Sequence, residues 1–292
     1  MVDADPFNGF EVAGWEKKAT GYDDFFGRIT TRLVESLLEA AGSRPRNRML
    51  DVATGPGYVA TRAAERGVSV VGVDIAKAMV SLARRLHPQL DFREGNAEAL
   101  PFPDESFDAV VGNFALLHLG RPEQAVAEFL RVLGPGGRLA LTVWDVPERA
   151  RVLGVFLDAL ALAGASTPEN IPAGPPFFRF SEDQEFVRLL SAPGLEDINV
   201  RTISFAHAVS SPDELWRGVL GGAVRTSALI LRQTDEVQRR IRTAFDQIVQ
   251  PYKVGDRLEL PVSVKLASAQ KPAAARRPDS SPTAPAGLGS RP

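Results

Sequence analysis

Apolar and polar positions run along the first half of the chain in blocks whose period switches repeatedly. Between Arg28 and Ala41, the residues Ile29, Leu33, Leu37 and Ala41 recur every fourth position, the spacing of one helix face, and Gly42 ends the run. Met49–Ala53 is a short apolar stretch that reads as a strand. It is followed by the turn Thr54-Gly55-Pro56-Gly57 and a helix over Tyr58–Arg66, closed by Gly67. Val68–Val73 is β-branched and predicts a buried strand, Ala76–Leu86 a helix and Leu90–Arg93 a brief strand. Phe107–Asn113, Glu123–Leu133 and Arg138–Trp144 repeat strand, helix, strand, with the turn Gly134-Pro135-Gly136-Gly137 before the last. Strands alternating with helices at this spacing predict an open α/β sheet, mostly parallel, covered on both faces and joined by right-handed crossovers.

After Trp144 the rhythm breaks. Val152–Ala163 predicts an apolar helix, Thr167–Arg179 is rich in Pro, Gly and Phe, and Glu182–Leu190 predicts another helix. A strand at Ile198–Ala206, helical stretches at Pro212–Gly221 and Thr234–Pro251, and a strand at Arg257–Ala267 follow. Pro261 inside that last strand favours an edge position or a bulge. No linker sets residues 145–195 apart, so they are expected to elaborate the sheet rather than form a separate domain. One domain is expected over 1–267. The 25 residues from Ser268 include five prolines and one large apolar side chain, Leu288, so 268–292 is expected to be a disordered tail.

Composition narrows the function classes. The 292 residues carry 34 basic and 36 acidic side chains, a net charge of −2, which argues against a dedicated nucleic-acid binder. No apolar run approaches the roughly 20 residues that cross a bilayer. The acidic N-terminus lacks the basic-then-apolar pattern of a signal peptide. Cysteine is absent, which removes disulfides, zinc–thiolate sites and thiol nucleophiles and makes a reducing cytoplasm the simplest location. With three histidines and no Asp/Asn/His cluster, no metal is expected.

The turn after the first strand carries the candidate chemistry. Gly55 and Gly57 open a helix, and Asp74 ends the next strand, 19 residues after Gly55. Glycines let backbone approach a ligand, and an acid at that distance accepts hydrogen bonds from ribose hydroxyls, so an adenosine-containing ligand is implied. Asp51 stands just before the glycines. A dinucleotide would set a doubly negative pyrophosphate there, whereas S-adenosylmethionine brings an ammonium and a sulfonium, so charge favours the methyl donor over NAD. The plainer role for Asp51 is to brace the turn.

Four ordered stretches, LDVATGPGYVA, VVGVDIAKAMV, REGNAEALPFPDESFDAVVGNFALLHL and RVLGPGGRLALTVWD, resemble class I S-adenosylmethionine-dependent methyltransferases. The nearest branch includes the ubiquinone/menaquinone C-methyltransferases and many small-molecule methyltransferases. The likeness is close over about residues 10–145 and loose over 195–267. It implies a Rossmann-like, seven-stranded sheet, an N-terminal helical lid within about 1–42 and a helical insertion after the fifth strand. By the same resemblance Asp51, Ala53, Gly55 and Gly57 match the motif around the methionine portion, Ala53 replacing a glycine. Asp74 matches the ribose-binding acid, and Ile75 and Met79 the adenine wall. Asn96-Ala97-Glu98 matches the segment that meets the adenine amino group, with Asn96 in place of the usual Asp. Asn113 and Phe114 match positions around the methyl group, and Tyr22 an aromatic that closes over the cofactor.

Methyl transfer needs the nucleophile and methyl held in line, and a base only where the acceptor must lose a proton. His118, just past the fourth strand, is the candidate base; a structural histidine bonded to backbone is the alternative. His207 is a weaker candidate, and His87, before Pro88, is expected at the surface. Asp145 either faces substrate or caps a helix, and Trp144 either flanks the acceptor or fills core. Apolar residues of 145–195, including Phe156, Phe177, Phe178 and Phe180, favour a small, largely apolar or aromatic acceptor. S-adenosyl-L-homocysteine is the implied product, with no nucleic-acid or membrane partner and a monomer or homodimer expected. The competing readings are a protein that binds the cofactor without turnover and a nucleotide-dependent oxidoreductase.

Overall fold

The structure is a computed structural model and describes residues 6–273. In chain order its first half comprises α1 (Pro6–Phe25), α2 (Gly27–Thr30), α3 (Val34–Ala40), β1 (Arg48–Val52), α4 (Tyr58–Glu65), β2 (Ser69–Asp74), α5 (Lys77–Leu86), β3 (Asp91–Glu94), β4 (Phe107–Asn113), α6 (Pro122–Val132) and β5 (Leu133–Trp144). The second half adds α7 (Arg151–Leu162), α8 (Asp183–Ser191), β6 (Glu196–Val209), α9 (Pro212–Gly222), α10 (Arg225–Leu231), α11 (Asp235–Ile248), β7 (Lys253–Val254) and β8 (Arg257–Gln270).

The strands form one sheet in the order β3-β2-β1-β4-β5-β8-β6, with the two-residue β7 paired only to β8. The pairs from β3 to β5 are parallel, and β8 runs antiparallel to both β5 and β6. The sheet therefore has one short strand more than the seven expected. Its apolar runs follow from burial on both faces. Met49, Ala109, Val111 and Ala140 pack under α3, α4 and α5, while Leu50, Val110, Leu139 and Leu141 pack under α6 and α8. A third cluster caps the carboxyl ends of the strands. There Phe25, Phe26, Phe114 and Trp144 meet α7, α9, α10 and α11, and Phe156 and Phe245 are fully buried. Each such side chain contributes about 1.5–3 kcal/mol of hydrophobic stabilisation.

Several expectations need correcting. The four-residue periodicity over 28–41 belongs to α2, a tight turn at Thr31–Leu33 and α3, not to one helix. β5 begins at Leu133, so the glycine-rich segment lies within the strand, beside a register shift between Phe107 and Ala109 of β4. β8 is an inner strand despite Pro261, because β5 pairs only with Val264–Gln270 and Pro261 has β6 alone as its paired neighbour. Ser268–Gln270 belong to β8 rather than to a tail; the rest of the expected disordered segment from residue 274 lies outside the described residues. The cap is built from two separate stretches of chain: α7, which follows β5, and α9–α11, which lie between β6 and β8. No helix among the described residues is long and apolar enough to cross a membrane.

From β1 the chain moves outward to β2 and β3, then returns to place β4 on the other side of β1. The carboxyl ends of β1 and β4 thus border the point where strand order reverses, the usual ligand crevice of open α/β sheets. α1 packs across α5 and α9 above that crevice.

Candidate functional site

The crevice floor is the turn after β1. Ala53, Gly55 and Gly57 have φ of +53°, +54° and +87°, so the chain makes its sharp turn through three left-handed residues and enters α4 directly. Asp51, 1% exposed, accepts hydrogen bonds at Oδ2 from Thr54 Oγ1 (2.6 Å) and the Ala60 amide (3.2 Å). Its Oδ1 is buried without a partner. Asp74, ending β2, accepts from the Gly55 amide at Oδ2 (3.0 Å) and the Ala76 amide at Oδ1 (2.9 Å), tying the two turns together. Burial pushes the Asp51 carboxyl up to about 7 and that of Asp74 up to about 6.

The end of β4 forms the next wall. Thr142 Oγ1 donates to Asn113 Oδ1 (2.7 Å) and accepts from the Phe114 amide (3.0 Å), while Asn113 Nδ2 donates to the Thr30 carbonyl (3.1 Å). Phe114 adopts φ of +59°, a strained conformation for a bulky residue, held by those bonds and by Trp144 at 4.4 Å between ring centroids. Tyr22 donates to Thr30 Oγ1 (3.3 Å) and lies stacked on Phe26; burial pushes its hydroxyl up to about 12.

α1 supplies the roof. Glu11, 2% exposed, places Oε2 2.9 Å from Nδ1 of His118, and its Oε1 has no partner. With Nδ1 against a carboxylate, the neutral imidazole carries its proton there and leaves Nε2 as the accepting nitrogen. Trp15 meets the His118 ring edge-on at 4.8 Å, and Phe177 stands 6.2 Å away. Together these walls line one crevice that reaches from the glycine turn to Phe177 and Arg225.

A family profile described as a methyltransferase domain matches residues 50–141. The demethylmenaquinone methyltransferase of Renibacterium salmoninarum is 33% identical over 60% of this chain and 77% of its own length. That of Beutenbergia cavernae is 40% identical over 58% of this chain and 74% of its own. In fold, the YcgJ protein of Bacillus subtilis superposes with a TM-score of 0.54 at 25% identity, covering 82% of this chain and 98% of that one. Haemonchus contortus phosphoethanolamine N-methyltransferase 2, solved in complex with S-adenosyl-L-methionine, also gives 0.54, at 17% identity over 91% and 60% of the two chains. The chain belongs to the class I S-adenosylmethionine-dependent methyltransferases.

In this methyltransferase most of the residues singled out from sequence line one cavity: Tyr22, Asp51, Ala53, Gly55, Asp74, Ile75, Met79, Asn96, Ala97, Asn113, Phe114 and His118. Asn96 Oδ1 also accepts from the Glu98 amide (2.9 Å). Two do not reach it. Gly57 faces the opposite way, where a Cβ would stand 2.6 Å from the Phe92 ring. Glu98 turns its carboxylate to the Arg121 amide (2.8 Å), Arg121 Nε (2.9 Å) and Asn8 Nδ2 (3.1 Å), so it braces the segment below α1. Asp145 is fully buried, bonded to Ser263 Oγ (2.7 Å), Arg149 and the Val146 amide, and faces no cavity. His207 lies in β6, and burial depresses its pKa; His87 is half-buried beside Tyr58 and Phe92 rather than at the surface. Trp144 does line the cavity. Glu11, Trp15 and Arg225 went unforeseen, since no local motif marks them.

Proposed function

We propose that the cavity binds S-adenosylmethionine along the β1, β2 and β4 ends and methylates a small, largely aromatic acceptor held beneath α1. The observation that carries the cofactor side is the buried Asp51 carboxylate with an unpartnered Oδ1 in the cavity wall. An uncompensated buried oxygen of this kind fits a cationic ligand bearing N–H donors and fits a pyrophosphate poorly. In this reading Asp51, Ala53 and Gly55 hold the methionine portion and Asp74 the ribose. Ile75, Met79, Asn96 and Ala97 border the adenine, while Asn113, Phe114 and Tyr22 close around the reacting end. When bound, the cofactor supplies an electrophilic methyl group.

The chain's own contribution is orientation, exclusion of water and proton transfer. Tyr22, Phe26, Phe114 and Trp144 make the wall dry, so an acceptor packed there is held close to the donor without competing solvent. Trp15 and Phe177 both stand T-shaped to the His118 ring, which suits a flat aryl acceptor. His118 Nε2 accepts a proton from the acceptor's oxygen, nitrogen or acidic carbon, and the Glu11 carboxylate on Nδ1 fixes the ring and balances the charge it gains. The relatives named for demethylmenaquinone methylation support an aromatic, quinol-type acceptor, and a further relative named as a ubiquinone/menaquinone biosynthesis C-methyltransferase supports a C-methyl product.

The reading is tested by incubating the protein with methyl-tritiated S-adenosylmethionine and a panel of reduced naphthoquinones, phenols and aryl amines. Label transferred to a naphthoquinol carbon is the expected result. Tight S-adenosylhomocysteine binding with no transfer to any member of the panel would instead favour a protein that binds the cofactor without turnover.

A further inference from the structure

Arg225 begins α10 and lines the same cavity at the end farthest in sequence from the glycine turn. Its Nη1 and Nη2 donate to the Pro175 carbonyl at 3.1 and 3.2 Å, and its guanidinium lies over the Phe7 and Phe177 rings at 5.1 and 5.4 Å. Those contacts use one edge and the flat faces of the group. The remaining N–H donors have no acceptor, and no carboxylate stands within 4.0 Å, among the described residues. Among the described residues Glu11 is the one acid whose field reaches it, and its Oε2 is committed to His118. The contrast with Arg151 is instructive. That buried guanidinium is matched by Asp158 at 2.5 Å and by the Tyr252 hydroxyl at 2.7 Å. Desolvation lowers the Arg225 pKa, the mark of a cation kept from water without a full counter-charge.

We propose that Arg225 is a specificity-determining residue that receives a carboxylate on the methyl acceptor, so that within the aromatic, quinol-type class the preferred members are hydroxyaryl acids. This rests on the methyltransferase reading above and deepens it. A planar guanidinium with a free edge matches a carboxylate in a two-point contact. Phe177 bridges the arrangement: its ring lies 5.4 Å from the Arg225 guanidinium and 6.2 Å from the His118 ring. An aryl ring beside Phe177 thus presents its acid to Arg225 and its nucleophilic atom toward His118. The cavity's acids are Glu11, Asp51 and Asp74, so a single negative charge is matched and a phosphate dianion is disfavoured.

The test uses the full chain and needs no turnover. Calorimetry first measures S-adenosylhomocysteine, then benzoate, salicylate and 1-hydroxy-2-naphthoate, each beside its methyl ester, on the S-adenosylhomocysteine-saturated protein. At least one acid should bind about tenfold or more tighter than its ester, the scale of a charged hydrogen bond. Arg225→Met should erase the preference and keep S-adenosylhomocysteine affinity within about twofold. Arg225→Lys, which keeps the stem and charge and guards against a folding defect in the first variant, should retain part of it. Three results overturn the proposal: no acid preferred by the wild type, a preference that survives Arg225→Met, or a large loss of S-adenosylhomocysteine affinity in that variant. The last assigns Arg225 to the cofactor's own carboxylate. Failure of the wild type to bind S-adenosylhomocysteine at all strikes instead at the reading beneath.

Discussion

Glu11 Oε2 stands 2.9 Å from His118 Nδ1, a contact between residues 107 positions apart that joins the first helix to the end of β4. It gives the imidazole a fixed tautomer and a fixed direction inside an aromatic box. Replacing Glu11 with Gln keeps the shape and removes the charge that balances a proton arriving at Nε2. Glu11→Gln is therefore expected to lower kcat by about tenfold or more, and His118→Ala by about 10²–10⁴-fold, while KM for S-adenosylmethionine changes little. Steady-state kinetics at saturating acceptor measures both. A Glu11→Gln enzyme with full kcat would reduce the pair to a structural clamp.

The same pair marks the limit of what the sequence discloses. Asp51, Gly55 and Asp74 are legible because one turn and the strand beside it bring them together, and local chemistry has a local signature. The strands from β1 to β5 are legible because burial on both faces writes them as apolar runs. α1 is not. Its residues PFNGFEVAGWEKKATGYDDF hold three glycines and show no clear apolar stripe, so it is helical chiefly through packing on α5 and α9. Glu11 and Arg225 acquire meaning only once that packing sets them over the crevice. Pro261 misleads for a related reason: strand length and register, not the proline, decide that β8 is internal, and the proline falls where only β6 pairs.

Asp74 holds the Gly55 and Ala76 amides at 3.0 and 2.9 Å while facing the cavity, so it has a structural role as well as the ribose role proposed for it. Asp74→Ala should weaken S-adenosylhomocysteine binding by about 1–3 kcal/mol and also lower the melting temperature, because two amides lose their acceptor. Calorimetry and thermal denaturation separate the effects. Unchanged affinity would remove the ribose role and leave the turn-bracing one.

The left-handed residues of the β1 turn predict three different outcomes. A Cβ at Gly55 meets nothing within 4 Å and points into open space, whereas one at Gly57 meets the Phe92 ring at 2.6 Å. Gly57→Ala should therefore destabilise the fold by about 2 kcal/mol or more, combining overpacking with left-handed strain. Gly55→Ala should cost about 1 kcal/mol of stability but reduce cofactor affinity more than Gly57→Ala does. Ala53 already pays the left-handed penalty at φ +53°, so Ala53→Gly should raise stability by up to about 1 kcal/mol. Thermal denaturation of the three variants, with and without S-adenosylhomocysteine, reads the ordering.

Asp51 and Asp74 make cofactor binding pH-dependent, and the sign follows from their environment. Burial raises Asp51 to about 7 and Asp74 to about 6, against about 4 for an ordinary aspartate. In the unliganded protein the folded state keeps protons that the unfolded chain has released, so these groups subtract stability as pH rises. The loss is absent below about pH 4 and complete above about pH 7. A cation seated against Asp51 Oδ1 favours the ionised carboxyl and expels the proton. Affinity for S-adenosylmethionine should thus rise between about pH 5 and pH 8, and binding near pH 6.5 should release protons. Calorimetry at that pH in phosphate and in imidazole, whose ionisation enthalpies differ, should give different apparent enthalpies. Asp51→Asn should bring the two enthalpies closer, leaving only the smaller difference that Asp74 contributes. Equal enthalpies in the wild type would mean that Asp51 keeps the same charge in the free and bound states, and that its empty oxygen is not where the cation sits.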